Sequence, residues 1–248
     1  MIIAFICIVL IFNTMETISI HRPKIVVIGS CNTDMVVKAN RLPVPGETIL
    51  GGTFYINPGG KGANQAIAAA RLGAEVTFIS KIGYDLFGLQ ALEIYRSEKI
   101  NTEYIFTDQK SPSGVALISV DSFGENSIIV APGASRSLSI EDINKAEEKI
   151  KEADIILMQL EIPIDTVEYA ATIACKYGKK VILNPAPASS LSNSFLRNVH
   201  TILPNRIEAE MLSGIKVMNI ESAHRAAQAI GEKGIENVVI TLGKDGAY

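Results

Sequence analysis

The chain contains a run of six residues, Gly59 to Asn64, whose types could bind a small polar molecule. It reads Gly-Gly-Lys-Gly-Ala-Asn and leads into an alanine-rich segment before Gly73, which predicts a helix over 61–72. Glycines allow close backbone approach, and a helix N-terminus presents N–H donors without intrahelical partners. With the polar end of Lys61 nearby, the run predicts a site for an anionic or hydroxyl-rich molecule. The alternative is a tight turn before a helix that packs on a sheet.

Polar residues also follow several predicted strands, at the edge where open α/β sheets bind ligands. Asp34 could accept hydrogen bonds from two sugar hydroxyls, and Asn32 could both donate and accept. An Asx turn is the alternative for this pair. Glu161 follows a later strand and is either a ligand contact or a helix-start residue before Pro163.

Two further segments carry polar or glycine residues after predicted strands. Asn205 and Glu208 are three residues apart at a predicted helix start, where the alternative is a capping box. The segment 241–246 reads Thr-Leu-Gly-Lys-Asp-Gly, and its glycines and hydroxyl suit a phosphate-bearing ligand. A plain turn is the alternative there. Neither segment, nor the run at 59–64, matches the P-loop pattern Gly-x-x-x-x-Gly-Lys-Ser/Thr.

Alternating strand and helix patterns must position these residues. Continuous apolar strands between amphipathic helices predict a three-layer α/β/α core with a mostly parallel sheet, formed by one domain over 24–248. The predicted strands are 24–28, 75–80, 154–158, 181–183, 201–203 and 237–241, and the predicted helices are 61–72, 86–98, 164–177, 206–212 and 222–233.

Two regions, 35–56 and 114–130, contain short alternating runs separated by glycine and proline. This pattern predicts a small antiparallel sheet apart from the core. A sheet beside a binding cleft could act as a lid that excludes water from a reacting centre.

Composition excludes some classes of partner. The 248 residues are 48% hydrophobic and 20% charged, which is globular composition, and the net charge is −3. There is no basic stripe and no Trp, so we expect no nucleic-acid partner. The three cysteines lack metal-ligand spacing, which favours a reducing, cytoplasmic location, and Cys31 is expected to be a buried small residue.

Residues 1–23 form an apolar N-terminal extension. The apolar run 2–12 is shorter than the roughly 20 residues of a membrane span, and it lacks the basic flank of a signal peptide. We interpret it as foreign to the fold and expect no membrane partner. A weak membrane-associated segment and a packing element are the alternatives, and Met15 could be the true start.

An ordered series of segments resembles the ribokinase-like family of carbohydrate kinases, which also holds fructokinases and adenosine kinases. The resemblance covers about Lys24 to Tyr248. The Gly-Gly-Lys-Gly-Ala-Asn run, together with Asn-x-Asp, is similar to ribokinases rather than to their cousins. The matching segments are 29–34 (Gly-Ser-Cys-Asn-Thr-Asp), 45–48 (Pro-Gly-Glu-Thr), 59–64, 83–88 (Gly-Tyr-Asp-Leu-Phe-Gly), 159–161 (Gln-Leu-Glu), 184–187 (Asn-Pro-Ala-Pro), 205–208 (Asn-Arg-Ile-Glu) and 241–243 (Thr-Leu-Gly).

The resemblance implies ATP-dependent phosphorylation of the 5-hydroxyl of D-ribose, giving ribose 5-phosphate, in a homodimer that associates through the lid. It implies Mg²⁺ with ATP, with Glu208 in an indirect role, and K⁺ in complete family members. The implied sugar-binding residues are Asn32, Thr33, Asp34, Gly60, Lys61, Gly62, Ala63, Asn64 and Glu161. The implied nucleotide-binding residues are Asn205, Thr241, Leu242, Gly243, Lys244, Asp245 and Gly246.

The chain departs from the family pattern in two places. Ser135 stands where the family commonly has Asn. The Gly-Ala-Gly-Asp segment, whose Asp takes the hydroxyl proton in ribokinases, is not found in the 248 residues. We therefore assign no catalytic residue and expect a C-terminally truncated chain that is inactive as it stands. The alternatives are a non-catalytic sugar-binding fragment, or a kinase for another sugar or a nucleoside.

Overall fold

The core is a seven-stranded sheet in a computed structural model that describes residues 22–248. Its strands are β1 (Lys24–Ile28), β4 (Glu75–Gly83), β5 (Ile105–Asp108), β8 (Ile155–Met158), β9 (Lys180–Leu183), β10 (Thr201–Ile202) and β11 (Asn237–Val238). Their order is β11-β10-β9-β8-β1-β4-β5, and all the pairings are parallel. The predicted parallel sheet is confirmed.

Helices cover both faces of this sheet. They are α1 (Lys61–Arg71), α2 (Leu86–Ser97), α3 (Ile140–Lys145), α4 (Glu147–Glu152), α5 (Ile164–Lys176), α6 (Asn193–Leu196), α7 (Arg206–Ser213) and α8 (Ile220–Gly231). Alternate residues of β1 enter different hydrophobic clusters: Val26 and Ile28 pack on one side, and Ile25 and Val27 on the other. This double burial explains why the strand reads as a continuous β-branched run.

The second sheet has the strand order β3-β2-β6-β7, formed by β2 (Asn32–Lys38), β3 (Thr53–Gly59), β6 (Gly114–Val120) and β7 (Asn126–Ala131). We call it the lid sheet. The expectation of an antiparallel sheet is wrong in one respect, because β2 and β6 pair in parallel. Both strands follow parallel core strands, β1 and β5, and so both leave the same edge of the core in the same direction. The outer pairings, β2 with β3 and β6 with β7, are antiparallel.

Some predicted boundaries shift. The strand predicted over 237–241 is assigned only at 237–238, because Ile240 exchanges backbone hydrogen bonds with Tyr248 and turns the chain back on itself. The helix predicted from Ser222 begins at Ile220, because Asn219 caps it. Lid strands extend beyond the predicted regions, to Asn32 at one end and to Gly59 and Ala131 at others.

The apolar run 2–12 lies outside the described residues, so its interpretation stays a prediction. Within residues 22–248, no helix has both the length and the apolar character needed to cross a membrane.

Candidate functional site

Glu161 joins the end of β8 to the beginning of α1. Its Oε1 lies 3.2 Å from the Lys61 Nζ, and its Oε2 accepts hydrogen bonds from the Lys61 backbone N at 3.0 Å and from the Ser30 hydroxyl at 2.5 Å. The Glu161 side chain is 18% exposed and that of Lys61 39%, so both reach solvent at the carboxyl edge of the sheet. Glu161 is therefore not a helix-start residue for α5; it holds α1 in place.

The expectation that the N-terminus of α1 presents free N–H donors is wrong. Lys61 N donates to Glu161, Gly62 N donates to the Ser30 hydroxyl at 3.4 Å, and Ala63 N donates to the Ser30 carbonyl at 3.0 Å. Gly62 and Ala63 are buried against this loop. Ser30 was not predicted as a site residue, although its position directly after β1, between Gly29 and Cys31, could have identified it.

Two positions of the run 59–64 require glycine, each for a different reason. Gly60, the residue before α1, has φ +90°, which L side chains rarely adopt. Gly62 allows close approach instead: a Cβ there would lie 2.7 Å from backbone atoms of Gly29 and Ser30. The glycines therefore seat α1 on the loop that follows β1.

Asn32 and Asp34 share one face of β2, because side chains alternate along a strand, and Thr33 points to the other face. The Asx-turn alternative is wrong, since both residues pair with β3 and β6. The Asp34 carboxylate lies over Gly59, where a Cβ would be 1.9 Å from its Oδ1. Asn32 is buried, and its Oδ1 has no hydrogen-bond partner among the described residues.

Electrostatics links Asp34 with Lys61 and Glu161. Burial raises the pKa of Asp34, the negative charge of Glu161 raises it further, and Lys61 opposes both. Burial also raises the pKa of Glu208, against a hydrogen bond from Asn205 and the charge of Lys61. Lys61 is therefore ion-paired with Glu161, and its positive charge also lowers the pKa of Asp34 and of Glu208.

Asn64 lies one turn after Lys61 on α1, where i and i+3 side chains share a face, and it is exposed. The structure thus groups Asp34, Lys61 and Glu161, places Asn32 on the strand face of Asp34, and leaves Asn64 open beside them.

The capping box predicted as an alternative at Asn205 and Glu208 is present. The Asn205 side chain accepts from Glu208 N at 2.9 Å, and Glu208 accepts from the Asn205 backbone N and amide, both at 2.8 Å. Thr241 forms a β-bridge with Asn205. The two segments expected to bind a nucleotide are therefore neighbours.

Arg206 holds the turn formed by 242–246. Its guanidinium donates to Asp245 Oδ2 at 2.8 Å and to the Leu242 carbonyl at 3.3 Å. Residues 243–246 are exposed and Leu242 is buried. Arg206 was not among the predicted site residues, and its only signal in the sequence was its position directly after Asn205.

A cavity of about 530 Å³ lies between the lid sheet and α2, on the side of Thr33. It does not include Asp34, Lys61 or Glu161. Its lining includes Asn32, Thr33, Ile56, Pro58, Phe87 and Gln90. The grouped charges do not line this space, but Asn32 borders it and lies on the strand next to them.

Neither the cysteines nor the acidic residues offer a metal centre in the described part of the chain, where no group of three or more His, Cys, Asp or Glu could hold an ion. Cys31 is buried, as predicted, and burial raises its pKa to about 11. The Ser135 hydroxyl accepts from Cys31 N at 3.2 Å and donates to Cys31 O at 3.3 Å. It thereby fixes the loop before β2.

Residues 22–248 match the pfkB family carbohydrate kinases. The chain is 46% identical over 227 residues to a ribokinase of Haemophilus influenzae, covering 92% of this chain and 74% of the relative. It is 39% identical over 224 residues to a deoxyribokinase of Salmonella typhi, covering 90% and 73%. The solved structure of an Arabidopsis thaliana ribokinase complexed with ribose and ATP superposes with a TM-score of 0.80 at 31% identity, covering 91% of this chain and 74% of that one. The chain therefore belongs to the pfkB family of carbohydrate kinases.

Proposed function

We propose that this protein binds D-ribose and ATP for transfer of the ATP γ-phosphoryl group to the ribose 5-hydroxyl, which gives ribose 5-phosphate. One observation carries the proposal: Asp34, Lys61 and Glu161 interact at the open edge between lid sheet and core. The similarity to the Haemophilus influenzae ribokinase supports the choice of sugar.

The grouped side chains suit a polyol. Ionised Asp34 offers acceptor lone pairs for two neighbouring hydroxyls, and Lys61 offers N–H donors. The unpartnered Oδ1 of Asn32 and the exposed amide of Asn64 add acceptors and donors at the same edge. Thr33, Gly60, Gly62 and Ala63 contribute backbone that shapes this edge. These residues bind and orient the sugar, and the lid sheet excludes water from it.

The nucleotide is assigned to Asn205 and to the neighbouring turn at 241–246. Mg²⁺ supplied with ATP neutralises phosphate charge. Both Glu208 oxygens already accept from Asn205 but keep unused lone pairs, so a contact through water fits this carboxylate better than direct ligation. No residue is assigned to K⁺. The free thiols of Cys31 and Cys175 support a cytoplasmic location.

Calorimetric titration of the chain with ribose tests the sugar assignment directly. We expect saturable binding, with weaker binding of xylose, which differs at one hydroxyl. Because a deoxyribokinase is also similar, 2-deoxyribose is titrated in parallel. Tighter binding of 2-deoxyribose would replace ribose as the proposed substrate, and no binding of any pentose would contradict the proposal.

The raised pKa of Asp34 predicts a pH-dependent ribose affinity. The carboxylate must be ionised to accept two hydroxyls, so affinity should fall as pH decreases through a value above the usual 3.8. The contribution of Asp34 to folding stability depends on pH in the opposite direction. Because its pKa is raised on folding, the folded state binds the proton more tightly than the unfolded state. Protonation of Asp34 therefore stabilises the fold at low pH, and this stabilisation is lost as pH rises through the raised pKa. Titration with ribose from about pH 8 to pH 4 measures the effect. Ribose affinity of Asp34→Asn should depend less on pH. An equally steep pH dependence in this variant would show that another group titrates.

We also propose that a second copy of this chain covers the outer face of the lid sheet. The side chains of this face that share the orientation of Thr33 are apolar and mostly exposed: Val37, Phe54, Ile56, Leu117 and Ile129. Such a patch on an edge-bearing sheet favours association. It continues into the cavity beside α2 through Ile56.

Leu117→Asp is expected to convert a dimer into a monomer, because it places a charge in the centre of this apolar face. Light scattering coupled to size exclusion measures the mass. Leu72→Asp, at an exposed position after α1 and outside the lid sheet, is the matched control and should leave the dimer intact. A monomeric parent protein, or a dimer that survives Leu117→Asp, would contradict the assignment.

A further inference from the structure

We infer that Asp85 is a positioning residue for the sugar site: it clamps the base of β6 to the core and thereby keeps Asn32 in place. The inference rests on the proposed function, because its consequence is measured as ribose affinity. It gives a role to the Gly-Tyr-Asp-Leu-Phe-Gly segment at 83–88, which the sugar and nucleotide assignments leave unused.

The Asp85 carboxylate joins two elements. Its Oδ1 caps α2 by accepting from Gly88 N at 2.9 Å, and it also accepts from the Ser113 hydroxyl at 2.7 Å. Its Oδ2 accepts from Ser113 N at 2.7 Å. The Ser113 hydroxyl in turn accepts from Gly83 N at 3.0 Å. The residue directly before β6 is therefore bound to both ends of the connection between β4 and α2.

The backbone is also closely packed around the segment before β6. A Cβ at Gly83 would lie 2.3 Å from Ser113 N, and one at Gly133 would lie 2.3 Å from Pro112 O. A Cβ at Gly88 would lie 2.4 Å from Gly83 O. The glycines let the chain pack closely around the segment before β6, so a small displacement of this segment is transmitted to its neighbours.

Gly114 carries this restraint to the sugar site. It is the first residue of β6, pairs with Asn32, and leaves room for its amide: a Cβ there would be 2.1 Å from Asn32 Oδ1. β6 pairs with β2 from Asn32 to Lys38, which includes Asp34. Displacement of the base of β6 therefore moves the two β2 side chains assigned to the sugar.

The charge of Asp85 suits this role. Burial tends to raise its pKa, but hydrogen bonds from Ser113 N, Gly88 N, the Ser113 hydroxyl and Phe87 N outweigh burial and lower it. Hydrogen bonds to an ionised acceptor are stronger than neutral ones. The clamp is thus a charge-assisted contact at neutral pH.

Asp85→Ser is designed to remove the contacts of Asp85 with Ser113 while keeping the N-cap of α2. Serine is a good N-cap and retains the acceptor for Gly88 N, but its single hydroxyl cannot replace both contacts to Ser113. We expect ribose affinity to fall about tenfold. Hydrogen exchange should accelerate in 114–131 while protection of 86–97 is retained. The matched control is Asn219→Ser, at the N-cap of α8, which should change neither measurement.

Partial rescue distinguishes positioning from general stability. Asp85→Asn keeps the oxygen that accepts from Gly88 N and the Ser113 hydroxyl but loses the acceptor for Ser113 N, so its ribose affinity should lie between those of the parent and Asp85→Ser. If Asp85→Ser does not fold, Ser113→Ala decides, because it removes only the hydroxyl between Asp85 and Gly83.

The outcomes are distinct. If the parent chain does not bind ribose, the proposed function fails. If the parent chain binds ribose and a folded Asp85→Ser variant binds it equally well, the positioning role of Asp85 is overturned. If Asp85→Ser does not fold, unchanged ribose affinity in Ser113→Ala overturns the role instead. Reduced affinity with faster exchange confined to 114–131 supports the inference.

Discussion

Asp34→Ala is expected to abolish measurable ribose binding while leaving the fold intact. The side chain is assigned two sugar hydroxyls, and hydrogen bonds to a charged acceptor contribute about 1.5–3 kcal/mol each. Loss of both corresponds to a decrease in affinity of at least about a hundredfold. Calorimetric titration of the variant with ribose measures the effect directly.

Two controls accompany this substitution. Asp165→Ala removes an exposed carboxylate from the first turn of α5 that is not assigned to the sugar, and should leave ribose affinity unchanged. Asp34→Asn preserves the shape that fits over Gly59 and one acceptor oxygen, so its affinity should be intermediate. Because burial raises the pKa of Asp34, the asparagine should not lower the thermal midpoint at neutral pH. Full ribose affinity in Asp34→Ala would show that the hydroxyl contacts are assigned to the wrong residue.

Gly62→Ala is expected to reduce both stability and ribose affinity, although it adds only a methyl group. The new Cβ would meet backbone atoms of Gly29 and Ser30 at 2.7 Å, which cannot rotate away as a side chain could. Overpacking of this kind costs about 1–3 kcal/mol. Movement of α1 away from the loop would also displace Lys61 from Glu161. Thermal unfolding should shift down by roughly 2–10 °C, with weaker ribose binding in titration.

Gly231→Ala is the matched control, since it is the same substitution in another helix. Gly231 is the last residue of α8, and a Cβ there meets nothing within 4 Å. Alanine should stabilise this helix by about 0.5–1 kcal/mol and leave ribose binding unchanged. If Gly62→Ala were equally stabilising, the close approach of α1 to the loop at 29–30 would be wrong.

The core strands and the helices α1, α2 and α5 were predictable because their patterns are local. The continuous β-branched run at 24–28 is typical of a strand buried on two faces, whereas the small residues of 61–71 recur at helical spacing. A short stretch of sequence is enough to tell these two patterns apart. The lid sheet was predictable as an element but not in its pairing. Whether β2 runs with or against β6 depends on the direction in which each chain segment leaves the core, and no local pattern records it.

The candidate site divides in the same way. Chemistry-bearing side chains at strand ends were visible in the sequence, because residue type and position after an apolar run suffice to find Asp34, Glu161 and Asn205. Ser30 and Arg206 were missed because their roles are contacts between segments: Ser30 binds Glu161 across 131 residues, and Arg206 binds Asp245 across 39.

The sequence by itself determined the family, the parallel α/β core and the list of polar residues, because each depends on composition, periodicity or an ordered set of motifs. Only the tertiary structure decided what those residues contact. It showed that the amides at the start of α1 are used by Ser30 and Glu161, and that Lys61 forms an ion pair with Glu161, one hundred residues further along the chain. Long-range hydrogen bonds and charge interactions depend on distances between segments, and those distances exist only in the folded chain.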